Sequence, residues 1–193
     1  MKNYKSTALQ ATLFIVVIIG ISSFIYSEPN DTKELVYKTN DSEFDMRKSE
    51  ETAKFLLNVA EINIEEICLG KLAQQKGKMK YVKELGKIME GEHTRSATAL
   101  SALFKTKNIP LPISQTQIGR DKYKKLKHKS GNDFDKEYIN MMVSEHKDAI
   151  LLFETATFVC MDPEIRAWAI ASLPMLRINL DYSISCQNEF GKM

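Results

Sequence analysis

Four stretches of this chain carry apolar residues at helical spacing, and the connection between the second and third is far longer than the other two. The first runs from about Ser49 to Gln75, where Phe55, Val59, Ile62, Glu66, Leu69 and Ala73 share one face and Gly77 ends the pattern. The second runs from about Lys78 to Lys107 on the face Val82, Gly86, Met89, His93, Ser96, Leu100 and Leu103, and Asn108 with Pro110 and Pro112 stops it. The third, from about Phe134 to Val159, aligns Tyr138, Met142, His146, Ala149, Phe153 and Ala156. The fourth starts at Asp162-Pro163, an N-cap followed by a proline at the first helical position, and presents Ile165, Ala169, Ser172, Leu176, Asn179 and Ser183. Pro174 falls inside it and is expected to kink or break it.

No stretch alternates as a strand, so the class is all-α. Short loops make neighbouring helices antiparallel. A middle connection of about 25 residues, Asn108 to Asp133, can run the full length of a bundle. The expected fold is a ferritin-like four-helix bundle with one crossover, over residues 49–188. The crossover carries Arg120, Lys122, Lys124, Lys125, Lys127 and Lys129, which reads as a solvated, partly helical loop or as a membrane-surface patch.

The N-terminus sets the compartment. Lys2 and Lys5 precede the apolar run Leu13 to Ile21; small residues follow at Ser22, Ser23 and Ser27, and polar sequence begins at Glu28. That order is a secretory signal over residues 1–27. The 19 residues from Ala8 to Tyr26 are also close to the length of a membrane anchor. Either reading sends the rest across a bacterial inner membrane, into the periplasm or cell envelope, with the membrane as a partner if the segment is uncleaved. Residues 28–48 are polar and read as a tether. Loss of the first 27 residues removes two lysines and no acid, leaving 25 basic and 25 acidic side chains; a neutral domain is not a nucleic-acid binder. Three cysteines are too few for a disulfide scaffold. Cys68 and Cys186 are both expected toward one end of the bundle, as a pair or as free thiols.

Each apolar face carries a charged, imidazole or amide residue where an apolar one belongs: Glu66, His93, His146 and Asn179. Glu90 precedes His93 by three positions, making Glu-x-x-His on one helix face, and Glu145 lies beside the third face. With a rise of about 1.5 Å per residue and a full-length crossover, these residues fall about 12–22 Å from the same end of the bundle, near its middle. Buried polar groups without partners cost about 1–3 kcal/mol each, so such a layer needs either mutual hydrogen bonds or an ion. The candidate ligands Glu66, Glu90, His93, His146 and Asn179 suit a transition metal (Fe, Mn, Zn or Cu), and no soft-ligand cluster is present. The other reading is a self-satisfied layer that sets helix register.

The stretches EICLGKLA around Glu66, IMEGEHTRSATALSALFKTKNIPLP around His93, SGNDFDKEYINMMVSEHKDAILLFE and LPMLRINL resemble the bacterial exported ferritin-like proteins of domain-of-unknown-function family 4142, whose members are often labelled outer membrane proteins. The likeness covers about Glu50 to Ser185. It implies a ferritin-like bundle outside the cytoplasm and carries no established activity. The family pattern places a Glu on the first helix and a His on each of the others, which gives Glu66, His93 and His146 here. Asn179 stands where the fourth His would fall; Asn is a weak ligand, so an inherited site is depleted or altered. A di-iron enzyme would carry Glu-x-x-His on two helices, and only Glu90 and His93 form one, so metal binding ranks above catalysis. No catalytic residue, phosphate loop or nucleophile elbow is found, and an enzyme is the less favoured reading.

Overall fold

The computed structural model describes residues 29–107 and 109–192, with side chains from Glu50 onward. The chain divides into two units, residues 1–46 and 47–193, and the bundle belongs to the second. Five helices follow one another: α1 (Pro29–Lys76), α2 (Lys80–Lys107), α3 (Gln117–Lys127), α4 (Gly131–Val159) and α5 (Pro163–Phe190). The fold is all-α and ferritin-like. α1, α2, α4 and α5 supply the bundle, and α3 lies within the crossover. The signal or anchor segment lies outside the described residues. Among those described, no helix is long and apolar enough to cross a membrane.

Helix α1 begins twenty residues before the expected start at Ser49, so the polar stretch read as a tether is helical from Pro29 on. Proline suits the first helical position, and neither Pro nor Gly interrupts the chain again before Gly70. Polarity removes the packing stripe that betrays a helix; it does not prevent one. Helix α5 runs through Pro174 unbroken. Pro174 and Ile170, whose carbonyl loses its usual partner, both lie on the exposed face, where water can replace the bond.

Two devices bring the helices together. Gly70 of α1 and Gly86 of α2 meet backbone to backbone: a Cβ on Gly70 would lie 2.6 Å from the Gly86 carbonyl oxygen. At the turn between these helices, the Asp135 carboxylate of α4 accepts the Lys78 and Met79 amides at 2.9 and 2.8 Å. Asp135 is fully buried. It satisfies two backbone donors of the turn that leads into α2. Thr116 caps α3 by accepting the Gly119 amide at 3.2 Å.

The core is split in two. One apolar cluster holds Phe55, Val59, Ala60, Leu100, Phe104, Phe153 and Ile165; the other holds Leu69, Leu85, Met89, Phe134, Ile139 and Met142. The first ends at Ala60 on α1 and the second resumes at Leu69; on α2 the break lies between Met89 and Leu100, on α4 between Met142 and Ala149, on α5 between Leu176 and Cys186. The intervening positions hold the polar layer.

Candidate functional site

Asn63 and Glu66 of α1, His93 of α2, His146 of α4 and Asn179 of α5 fill the break in the core, and none is more than 5% exposed. The topology thus brings four of the five sequence candidates to one level. The fifth, Glu90, stands outside the layer. Its carboxylate accepts Gln74 Nε2 at 2.6 Å and faces Lys71 Nζ at 3.8 Å, both farther along α1 than Glu66.

The two imidazoles are oriented by their neighbours. Asn63 Nδ2 donates to Ser96 Oγ at 3.1 Å, which leaves its Oδ1 to accept from His93 Nδ1 at 2.9 Å. His146 Nδ1 donates to the Met142 carbonyl at 3.0 Å. Both protons therefore sit on Nδ1, and both Nε2 atoms carry free lone pairs. Both Nε2 atoms are buried without a hydrogen-bond partner. The rings lie 5.7 Å apart, centroid to centroid, at 74°. Burial pushes His93 down to about 3, with His146 adding to the effect. Burial lowers His146 as well. Both rings are neutral at physiological pH.

Glu66 shifts the other way. Burial, and then the neighbouring Glu145 carboxylate, hold it well above the usual carboxylate range, and its Oε2 has no partner. The Tyr138 phenol is likewise pushed well up, by burial and then by Glu66 and Glu145, and its hydroxyl is unpartnered. Lys122 of α3 reaches Glu65 Oε1 at 2.6 Å and Glu145 Oε1 at 2.7 Å. Burial would lower its ammonium, but the bonds to Glu145 and Glu65 lift it above its ordinary value.

Two cavities adjoin the layer. One, of about 310 Å³, is acidic: Glu61, Glu65, Glu66, Glu145 and Asp148 line it with Lys122. The other, of about 280 Å³, has His93 and Asn179 among largely apolar neighbours. Among the described residues, no three His, Cys, Asp or Glu side chains stand together as a ready metal-binding group. Cys68, Cys160 and Cys186 are free thiols.

Sequence reasoning missed Asn63, Ser96 and Lys122. Asn63 left a signal, since it sits between Val59 and Glu66 on the buried side of α1. Lys122 left none: it was one of six basic residues on the crossover. The structure pairs three of them with bundle acids, Lys122 as above and Lys125 and Lys129 with Glu137.

The family of DUF4142, a domain of unknown function, matches residues 38–182. No curated protein matches the chain. Among solved structures, a DUF305 fragment from Deinococcus radiodurans superposes with a TM-score of 0.63 at 10% identity, covering 74% of this chain and 97% of that one. A DUF305 protein from Streptomyces coelicolor, provisionally named a secreted protein, superposes at 0.59 with 12% identity, covering 75% and 94%. At these identities the likeness is one of fold.

Proposed function

The chain belongs to the DUF4142 family, and from that premise we propose that it is an exported envelope protein whose central layer takes up one transition-metal ion through His93 Nε2, His146 Nε2 and Glu66. The observation that carries the reading is the pair of buried Nε2 lone pairs, each aimed by a hydrogen bond from the opposite ring nitrogen, with nothing to bind. Metal-binding histidines are held in this way. Neutral imidazoles with one carboxylate suit Fe, Mn, Zn or Cu(II). Glu66 would turn from its Glu145 contact, release its proton to solvent and offer the ion its carboxylate. The acidic cavity on its outer side concentrates cations there. Asn179 adds an amide beside the ligands. With Glu90 outside the layer, the set serves a single ion rather than a di-iron pair.

The basic, apolar, small, polar order of the N-terminus supports export. So does the fold neighbour named as a secreted protein. Cleavage and anchoring are told apart by the mass of the exported chain.

A second reading is favoured by the Ser96–Asn63–His93 chain of hydrogen bonds, which ties α1 to α2 without any ion. On that reading the layer sets helix register. Elemental analysis separates the two. The protein is purified without chelator or His tag, beside a His93→Ala/His146→Ala double variant. Near-stoichiometric metal in the parent and none in the variant is the expected result. No metal in either, after incubation with Fe, Mn, Zn and Cu, leaves the register reading.

A further inference from the structure

The four bundle helices differ in what they turn outward. Among the described residues, α1 and α2 leave no large apolar side chain exposed, whereas Leu151 and Phe158 of α4 and Ile170 and Ile178 of α5 are 64%, 83%, 54% and 58% exposed. Helix α5 is apolar on both sides: Ile165, Ala169, Leu173 and Leu176 face the core, while Ile170, Pro174 and Ile178 recur every four residues on the outside. A helix apolar all round is ordinarily covered. The Arg177 Nη2–Glu154 Oε1 bond at 2.8 Å and the Gln187 Nε2–Asn140 Oδ1 bond at 2.8 Å fix the antiparallel register of α4 and α5. In that register Phe158 stands level with Ile170 and Pro174, and Leu151 with Ile178, one apolar group on each side of the Glu154–Arg177 ion pair.

Area and charge identify the cover. The four exposed side chains present roughly 500 Å² of apolar surface, as much as a monomer ordinarily leaves open. Pro174 and the ion pair widen the face toward the roughly 800 Å² per partner of a standard interface. A bilayer would strip water from Glu154 and Arg177 and return nothing, whereas a second copy returns the opposite charge to each. A two-fold axis parallel to the helices lays α4 of each copy over α5 of the other. That sets Glu154 against Arg177 twice, and Phe158 and Leu151 against Ile170, Pro174 and Ile178. An axis across the helices would oppose like charges. The Ile170 carbonyl, which Pro174 deprives of its helix partner, can keep a bridging water, as interfaces of this size hold them. The geometry points to a homodimer that closes over the outer faces of α4 and α5, with the Glu154 and Arg177 side chains of both copies at its centre.

Light scattering weighs the full-length protein in solution at micromolar concentration, and the parent is expected at twice the mass of one chain. Arg177→Glu and Glu154→Arg each oppose like charges across the axis and should weaken the dimer by about tenfold or more. An equal mixture of these two variants opposes unlike charges again and should regain the dimeric mass. So should the exchange Glu154→Arg/Arg177→Glu within one chain. Ile170→Lys puts a charge into the apolar part of the contact and should also weaken the dimer by about tenfold or more. All three positions lie outside the core, and unchanged helical circular dichroism certifies each variant. A monomeric parent would overturn the proposal. A dimer that either Arg177→Glu or Ile170→Lys leaves intact would place the contact elsewhere, and a mixture that stays monomeric would show that the face does not meet its own copy; either result overturns it.

Discussion

At the scale of single residues, the layer combines groups whose ionisation responds to burial in opposite directions. Burial holds His93 near 3, below its ordinary 6.5. The unfolded chain therefore takes up that proton first as pH falls. The stabilisation is complete above pH 6.5 and is lost as pH falls toward 3. Glu66 is held above its ordinary 4.5, so the unfolded chain gives up its proton first as pH rises. Its contribution is complete below pH 4.5 and is lost as pH rises through the raised value. Glu66→Gln should therefore stabilise the metal-free protein by about 1–3 kcal/mol at pH 8 and hardly at all at pH 4. Urea unfolding at the two pH values measures this; an equal effect at both would show that Glu66 is ionised in the fold. Asp135 is a different case, a buried carboxylate engaged by two amides. Asp135→Ala leaves both amides unmet and should cost about 3 kcal/mol, read as a lower urea midpoint with unchanged slope.

At the scale of helices, the crossing of α1 and α2 depends on the absence of two side chains. Gly70→Ala would set a Cβ 2.6 Å from the Gly86 carbonyl oxygen and 2.9 Å from the Glu90 nitrogen, both backbone atoms that can yield only if the helices part. Gly70→Ala and Gly86→Ala should each lower stability by about 1–3 kcal/mol. Gly91, one turn on, has only Arg95 Nη1 nearby, at 3.8 Å. Gly91→Ala should be neutral or stabilising by up to about 1 kcal/mol, from helix propensity alone. Thermal midpoints of the three variants test the contrast, and a fall for Gly91→Ala equal to the others would remove the role of the crossing. Helix limits were legible in part. The Asp162-Pro163 start and the break at Gly77 were readable because capping chemistry is local. The extension of α1 back to Pro29 was not, because a polar helix leaves no apolar stripe to read.

At the scale of the whole molecule, the polar layer divides the core into two apolar halves, and an ion bound there through Glu66, His93 and His146 would join three helices at once. Metal at one hundred times its Kd should stabilise the parent by about 2.7 kcal/mol, and the gain should vanish in the His93→Ala/His146→Ala variant. Thermal melts with and without metal and with excess chelator make the comparison; an equal shift in parent and double variant would place the ion elsewhere. The sequence by itself determined the helical class, the crossover topology and the depth of Glu66, His93, His146 and Asn179, because periodicity and rise per residue are properties of one helix at a time. Only the tertiary structure decided that Glu90 faces Gln74 rather than the histidines, that Asn63 fixes the His93 tautomer, and that Lys122 comes out of a basic crossover to sit between Glu65 and Glu145. Those are contacts between helices, and they depend on rotation about each helix axis, which residue spacing along one strip of sequence does not carry.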